Sequence, residues 1–176
     1  MRSRNFLLIF WLAVCGALSA CAASGSPPGS SPAPPAHTDS LHACNEIGCA
    51  DGLVIDLSPN ASWAPGQYRF TIVTDGQTTV CEGALPLPAC EKPGLRCTTN
   101  VAMIGESGCA IEPAAHGFSD IRIASKPQSV TVKIERDGQT IVDHTLAPTY
   151  QRSQPNGPGC PPVCDNAHAQ ISVAAR

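Results

Sequence analysis

Cysteine is the residue type with the clearest chemical potential in this 176-residue chain, where it occurs ten times. Cys15 and Cys21 lie near the N-terminus, and eight more follow: Cys44, Cys49, Cys81, Cys90, Cys97, Cys109, Cys160 and Cys164. An even set of cysteines in so short a chain indicates an oxidising compartment and a framework of disulfides. Their order does not fix the connectivity, but it favours four disulfides that each close a short loop: Cys44–Cys49, Cys81–Cys90, Cys97–Cys109 and Cys160–Cys164.

The same side chains could also ligate a metal ion. Two groups of possible ligands lie close together in the sequence: His37, His42, Cys44 and Cys49 in the first, and Cys160, Cys164 and His168 near the C-terminus in the second. Zinc sites usually combine two closely spaced ligand pairs, and they usually form where thiols stay reduced. Because neither condition is met, we predict no metal site and no cofactor, with His42, Cys44 and Cys49 as the alternative.

Histidine and serine could supply acid–base or nucleophilic chemistry. His116 and His144 are the candidate bases, and Ser107, Ser119 or Asp143 could serve as their partner. The chain contains no Gly-x-Ser-x-Gly, no His-Glu-x-x-His, no phosphate-binding glycine loop and no Asp-rich calcium loop. We therefore assign no catalytic residue and predict that the protein is not an enzyme.

The N-terminus has the pattern of a secretory signal peptide. Arg2 and Arg4 precede an apolar run over residues 6–18, and a positively charged start before a short apolar core is typical of such signals. A membrane-spanning helix needs about 20 apolar residues. The run is shorter than that, so we expect residues 1–20 to be removed rather than kept as an anchor.

The four residues Leu18-Ser19-Ala20-Cys21 resemble the lipobox of bacterial lipoproteins. The resemblance implies that the thiol of Cys21 receives a diacylglyceryl group, that the chain is cut before Cys21, and that the new amine is acylated, for example with palmitate. Several acyl chains give stable anchoring where one alone is marginal. Because Ala22 is not Asp, the resemblance further implies export to the outer membrane, facing periplasm or exterior. Ordinary cleavage near Ala20 or Ala23, which would leave a soluble secreted protein, is the alternative.

Residues 21–43 are rich in Pro and Ser and should form a semi-extended tether, at about 3.1 Å per residue where it is polyproline-like. Without residues 1–20 the chain has 9 basic and 14 acidic residues, a net charge of −5. These charges are scattered rather than clustered into a basic patch, so we predict no nucleic-acid partner.

Residues 44–176 show the pattern of a single all-β domain. Apolar side chains alternate with polar ones in three segments: Leu53, Ile55 and Leu57; Tyr68, Phe70 and Ile72; Val130, Val132 and Ile134. Such alternation is typical of half-buried strands. Asp75-Gly76 and Asp137-Gly138 each separate two such runs and predict tight hairpins. Further strands are expected around residues 96–104, 109–112, 118–124, 141–146 and 169–173.

About seven to nine short strands over this length suit an immunoglobulin-like β-sandwich stapled by disulfides. A small Greek-key barrel is the alternative architecture.

Trp63 and Tyr150 are candidate anchors for a partner, since aromatic residues dominate interface hot spots. The alternative is that both side chains are part of the core.

The segment Pro155-Asn-Gly-Pro-Gly-Cys160-Pro-Pro-Val-Cys164 is a succession of turn residues. It resembles a Pro-Asn-Gly-Pro-x-Cys-x-Pro-x-Cys segment of lipoproteins from myxobacteria and related bacteria, a group that implies location and architecture but no activity.

We therefore expect a membrane-anchored lipoprotein that acts as a non-enzymatic binding or envelope-structural module, with an envelope protein as its partner. A cell-envelope enzyme, an enzyme inhibitor and a metal-handling protein are the alternatives. A deep polar cavity would favour the enzyme, a protruding cysteine-pinned loop the inhibitor, and a flat apolar patch the binding module.

Overall fold

A computed structural model describes residues 43–174 of the chain. These residues form ten β-strands and, between the fifth and sixth strands, a one-turn 3-10 helix at Pro113–Ala115. The strands are β1 (Gly52–Pro59), β2 (Gly66–Thr74), β3 (Gln77–Leu85), β4 (Leu95–Cys97), β5 (Ala102–Ser107), β6 (Gly117–Ile123), β7 (Val130–Arg136), β8 (Gln139–Leu146), β9 (Gln151–Ser153) and β10 (Cys164–Val173).

The strands form two five-stranded sheets that pack on a common core. Sheet 1 has the order β5-β6-β1-β10-β9 and sheet 2 the order β4-β3-β2-β7-β8. All pairings are antiparallel except that of β1 with β10, which is parallel. The predicted all-β, disulfide-stapled immunoglobulin-like sandwich is confirmed. It has ten strands rather than seven to nine, because β4 and β9 are only three residues long.

The core consists of the apolar side chains that the alternating pattern places on the inner face of each sheet. An aromatic cluster lies at its centre, where Phe118 of sheet 1 meets Phe70 of sheet 2 edge-to-face with ring centroids 5.0 Å apart. Tyr68 and Trp63 extend this cluster toward one end of the sandwich. Aromatic pairs in this geometry contribute about 0.5–1.5 kcal/mol beyond the burial of their surface.

Both predicted hairpins are confirmed. Asp75 and Gly76 join β2 to β3 with φ values of 46° and 86°, and Asp137 and Gly138 join β7 to β8 with φ values of 51° and 79°. Two successive residues with positive φ define the turn whose twist matches that of the flanking strands, and Asp-Gly adopts it readily.

Two expected strands are wrong in extent or type. The run over residues 96–104 is broken, because β4 ends at Cys97 in sheet 2 and β5 begins at Ala102 in sheet 1. Residues 109–112 form a turn that leads into the 3-10 helix. Short apolar runs do not reveal whether a neighbouring strand is present to pair with them, and here the chain crosses between the sheets instead.

The strand directions define two poles of the sandwich. β1 and β10 both begin at the pole where Ala43 and residues 155–163 lie, and we call this the lock pole. Both strands end at the opposite pole, together with residues 60–65, 86–94 and 108–116, and we call this the loop pole.

Candidate functional site

All eight cysteines of the described residues form disulfides, as expected, but the four local pairs are wrong. The observed bonds are Cys44–Cys160, Cys49–Cys164, Cys81–Cys97 and Cys90–Cys109. The first two span 116 and 115 residues, with Cα–Cα distances of 5.6 and 6.0 Å. Because β1 and β10 are parallel neighbours, the segments that precede them meet at one pole. That adjacency results from tertiary packing and is not visible in the order of the cysteines.

An asparagine side chain completes this junction at the lock pole. The buried amide of Asn156, 8% exposed, accepts a hydrogen bond from the backbone N–H of Ile47 and donates one to its carbonyl, both at 3.0 Å. The amide nitrogen also donates to the carbonyl of Pro161 at 2.6 Å. The amide thus pairs with Ile47 as a neighbouring strand would. We call the disulfides Cys44–Cys160 and Cys49–Cys164 together with Asn156 the lock.

Charged side chains reinforce the same pole. Asp165 accepts from Lys126 at 2.9 Å and from Arg152 at 3.1 Å, and its backbone N–H donates to Asp51 at 2.6 Å. The hydrogen bond from Lys126, followed by that from Arg152, holds the pKa of Asp165 below its usual value. These groups are exposed, so they orient the segments around the lock more than they stabilise them.

The loop pole carries two loops that are pinned to each other. Cys90–Cys109 joins them, and the imidazole of His116 lies between them, 6% exposed. Its Nδ1 accepts from the N–H of Leu87 at 2.9 Å, so the ring proton is on Nε2, which donates to the carbonyl of Ile111 at 3.1 Å. The side chain of Ile111 is nevertheless 58% exposed. We call residues 108–116 the pinned loop.

A carboxylate joins the two sheets beside the pinned loop. Glu106, on β5, accepts from the N–H of Leu95 at 2.7 Å and from that of Gly94 at 3.0 Å. It thereby ties an edge strand of sheet 1 to the chain that enters β4 in sheet 2. Sequence reasoning missed this role, because the partners are backbone groups on another sheet.

A small cleft opens at the loop pole. It encloses about 230 Å³ and has mostly apolar walls formed by Pro59, Ala61, Ser62, Trp63, Ala64, Tyr68, Arg136, Ile141, Val173 and Ala174. Trp63 packs against Gly117, where a side chain would collide with the indole. The hydroxyl of Tyr68 donates to the carbonyl of Ala64 at 2.7 Å, and burial raises the pKa of Tyr68. Trp63 is therefore both a core contact and a wall of the cleft.

Tyr150, the other candidate anchor, is tied down away from this cleft. Its hydroxyl donates to the carbonyl of Pro127 at 3.0 Å, and the ring packs against the core. Tyr150 therefore holds two segments of the domain together rather than presenting a free aromatic side chain.

Among the described residues, neither candidate base forms a hydrogen bond with a candidate serine. Both ring nitrogens of His116 are engaged with backbone groups, so this ring is not free to act on Ser107. The hydroxyl of Ser119 donates to Asp120. His144 lies on the exposed edge strand β8, where it lines a shallow cleft with Asp143 and Gln170.

The alternative metal ligands are not available as thiolates. Cys44 and Cys49 are both disulfide-bonded, and His42 lies outside the described residues, as does Cys21. Over residues 43–174, no three His, Cys, Asp or Glu side chains gather in an arrangement that could hold a metal ion.

No helix in the described part of the chain is long and apolar enough to cross a membrane. No protein-family model, curated protein or solved structure matches this chain. Its function is therefore inferred from its own residues.

Proposed function

We propose that the protein is a lipoprotein of the bacterial outer membrane that binds another envelope protein with its loop pole. Cys21 would carry the lipid, residues 21–43 would form the tether, and the β-sandwich would face periplasm or exterior. The lipobox pattern and the Pro/Ser-rich segment support this location.

The observation that carries the proposal is that the two poles are built differently. The lock fixes the segment that follows Ala43, so the lock pole would join the domain to its tether. The loop pole instead presents Ile111 on a loop that a disulfide and His116 hold in place. Because a preorganised loop loses little conformational entropy on binding, more of its contact energy appears as affinity.

The chemistry of the loop pole suits contact with a protein surface. The pinned loop is exposed from Ala110 to Ala115, and Ile111 projects from it as an aliphatic anchor. The cleft beside Trp63 is smaller than the roughly 300–1,000 Å³ typical of drug-sized ligand sites. Its volume fits one side chain of a partner, so the loop pole would offer both an aliphatic anchor and an apolar cleft.

Inhibition of an envelope enzyme is the second candidate function. A rigid, protruding loop held by a disulfide is the specific observation that favours it, since inhibitors of this kind bind through preorganised loops. Both candidates use the same surface and differ only in the activity of the partner.

Site-specific crosslinking in cells tests the proposal. A photoreactive residue would replace Ile111 at the loop pole or, as the matched control, Ile47 at the lock pole, since their exposed fractions are 58% and 53%. We expect one dominant envelope protein to be captured from position 111 and not from position 47, and only when Cys21 is intact. Equal capture from both positions, or capture from position 47 alone, would contradict the proposal.

A second variant links the captured protein to the loop itself. Ile111→Asp places a charge on the anchor without touching the core and should abolish capture, whereas Ile47→Asp should not. If the captured protein is an enzyme, its activity in the presence of the purified domain distinguishes inhibition from simple binding.

A further inference from the structure

We infer that the domain is an inextensible strut between its two poles: tension applied along the axis from Ala43 to the end of β10 follows a covalent path that is already extended. This inference goes beyond the proposed function: it concerns tension between the segment at Ala43 and the end of β10, and a load applied to Ile111 would follow a different path, because the pinned loop is bonded only to Cys90.

The covalent path begins at the lock. From Cys44 the chain is bonded to Cys160, and from Cys49 it is bonded to Cys164, the first residue of β10. β10 then runs without interruption to Val173 at the loop pole. A strand rises about 3.3 Å per residue and a fully stretched chain at most about 3.6 Å per residue. The path from lock to loop pole therefore contains almost no slack.

A second strand shares the load. β1 also begins next to the lock and pairs with β10 in parallel over eight positions, from Gly52 opposite Asn166 to Pro59 opposite Val173. Because both strands leave the lock in the same direction, a pull along the axis acts on all these pairings at once. It does not peel them apart one at a time. Asn156 orients the incoming segment through its two hydrogen bonds to Ile47.

The connectivity of the cysteines, rather than their number, produces this property. If Cys44 were bonded to Cys49 and Cys160 to Cys164, the chain between Cys49 and Cys160 would lie in series with the load. Tension could then unravel the sandwich. With the observed pairing, the load passes directly from Cys44 and Cys49 to Cys160 and Cys164, and the chain between Cys49 and Cys160 lies outside this covalent path.

Single-molecule force spectroscopy tests the inference. The mature chain carrying Cys21→Ser would be held by handles at its two ends under oxidising conditions and compared with the fourfold variant C44A/C49A/C160A/C164A. The tether contributes a smooth elastic extension to both proteins, so the measured quantity is the stepwise gain in length on unfolding. The wild type should gain no more than about 2 nm, and the variant about 35 nm, at about 3.5 Å per released residue.

A matched control separates mechanical bypass from general destabilisation. C90A/C109A removes a disulfide outside the path, so it should lower stability and yet show no large step. A step of tens of nanometres in the oxidised wild type, or in C90A/C109A, would overturn the inference. If the variant lacking the lock does not fold, reduction of the wild type while it is held under load should produce a step at least as large, because the reductant also opens Cys81–Cys97 and Cys90–Cys109.

Failure of this inference is distinguishable from failure of the proposed function. Capture from position 111 with a long step in the wild type would refute the strut and leave the binding role intact. A short step without capture would support the strut geometry and refute the partner.

Discussion

Removing the two disulfides of the lock, singly and together, should reveal a coupling between them in the free energy of unfolding. The variants are C44A/C160A, C49A/C164A and the combination of all four substitutions. In the chain-entropy description, a disulfide stabilises a fold by closing a loop in the unfolded chain, so its contribution depends on which other cross-links remain.

The magnitudes follow from the observed connectivity. Cys44 and Cys160 are 116 residues apart, and closing a loop of that length contributes about 5 kcal/mol. Once that bond is present, Cys49–Cys164 closes only the small ring made of residues 44–49 and 160–164, which contributes about 3 kcal/mol. The two bonds are interchangeable here, because their separations are nearly equal. Each single removal should therefore cost about 3 kcal/mol, and the joint removal about 8 kcal/mol.

Equilibrium unfolding in urea without reductant measures these differences, with the mature Cys21→Ser chain as the reference. Peptide mapping without reduction confirms that the remaining cysteines keep their partners. The control is C90A/C109A, whose loop spans 19 residues and closes at the other pole. Combined with either lock variant, it should give free-energy changes that add, since distant sites are usually independent.

Two outcomes would refute this reasoning. With local pairs, each double substitution would already break both Cys44–Cys49 and Cys160–Cys164, so the joint removal would cost no more than either one alone. Strictly additive costs for the two lock variants would instead show that the shared ring has no effect on the unfolded chain.

Three further predictions concern single polar side chains. Asn156→Ala should lower stability by about 1–3 kcal/mol, measured by urea unfolding, because backbone groups of Ile47 and Pro161 lose their partner. His116→Ala should cost a similar amount, and hydrogen exchange should show the amide of Leu87 losing protection while β1 keeps its own. Asp120→Asn should be destabilising at neutral pH but not in acid. Burial alone would raise the pKa of Asp120, but hydrogen bonds from Ser119 and Arg122 lower it overall, so its ionised form favours the fold. The free energy of unfolding, measured from pH 7 to pH 2, should be higher for the wild type than for Asp120→Asn at neutral pH, and this difference should shrink below about pH 4. A difference that stays constant across that range would contradict the role of the ionised carboxylate.

Local signals were enough to predict the elements that form the framework. Alternation identified the inner faces of β1, β2 and β7, because the side chains of a strand point to opposite faces by geometry. Asp75-Gly76 and Asp137-Gly138 identified their hairpins, because the required backbone conformation depends on those two residues. The small side chains of Ala167 and Ala169 give a weaker alternating pattern. The sequence therefore predicts the last strand only at residues 169–173, whereas β10 begins at Cys164.

Contacts between distant segments could not be predicted. The disulfide partners depend on which strands are neighbours, and the parallel pair β1–β10 joins the two ends of the domain. Glu106 and Asn156 look like ordinary polar residues in the sequence. Their partners are backbone groups that come within reach only after the sheets have packed.

The turn-rich segment from Pro155 to Cys164 illustrates how a local pattern can have a non-local purpose. Its glycines at positions 157 and 159 have φ values of 87° and 81° and make the chain fold back on itself. That fold buries the amide of Asn156 and places the two cysteines opposite Cys44 and Cys49. In a regular strand Asn156, Cys160 and Cys164 would all lie on one face, with successive members of this set about 13 Å apart. The turns instead bring the amide of Asn156 to the carbonyl of Pro161 and place both cysteines beside Cys44 and Cys49. The irregular structure of this segment is therefore what gathers all the groups of the lock at one pole.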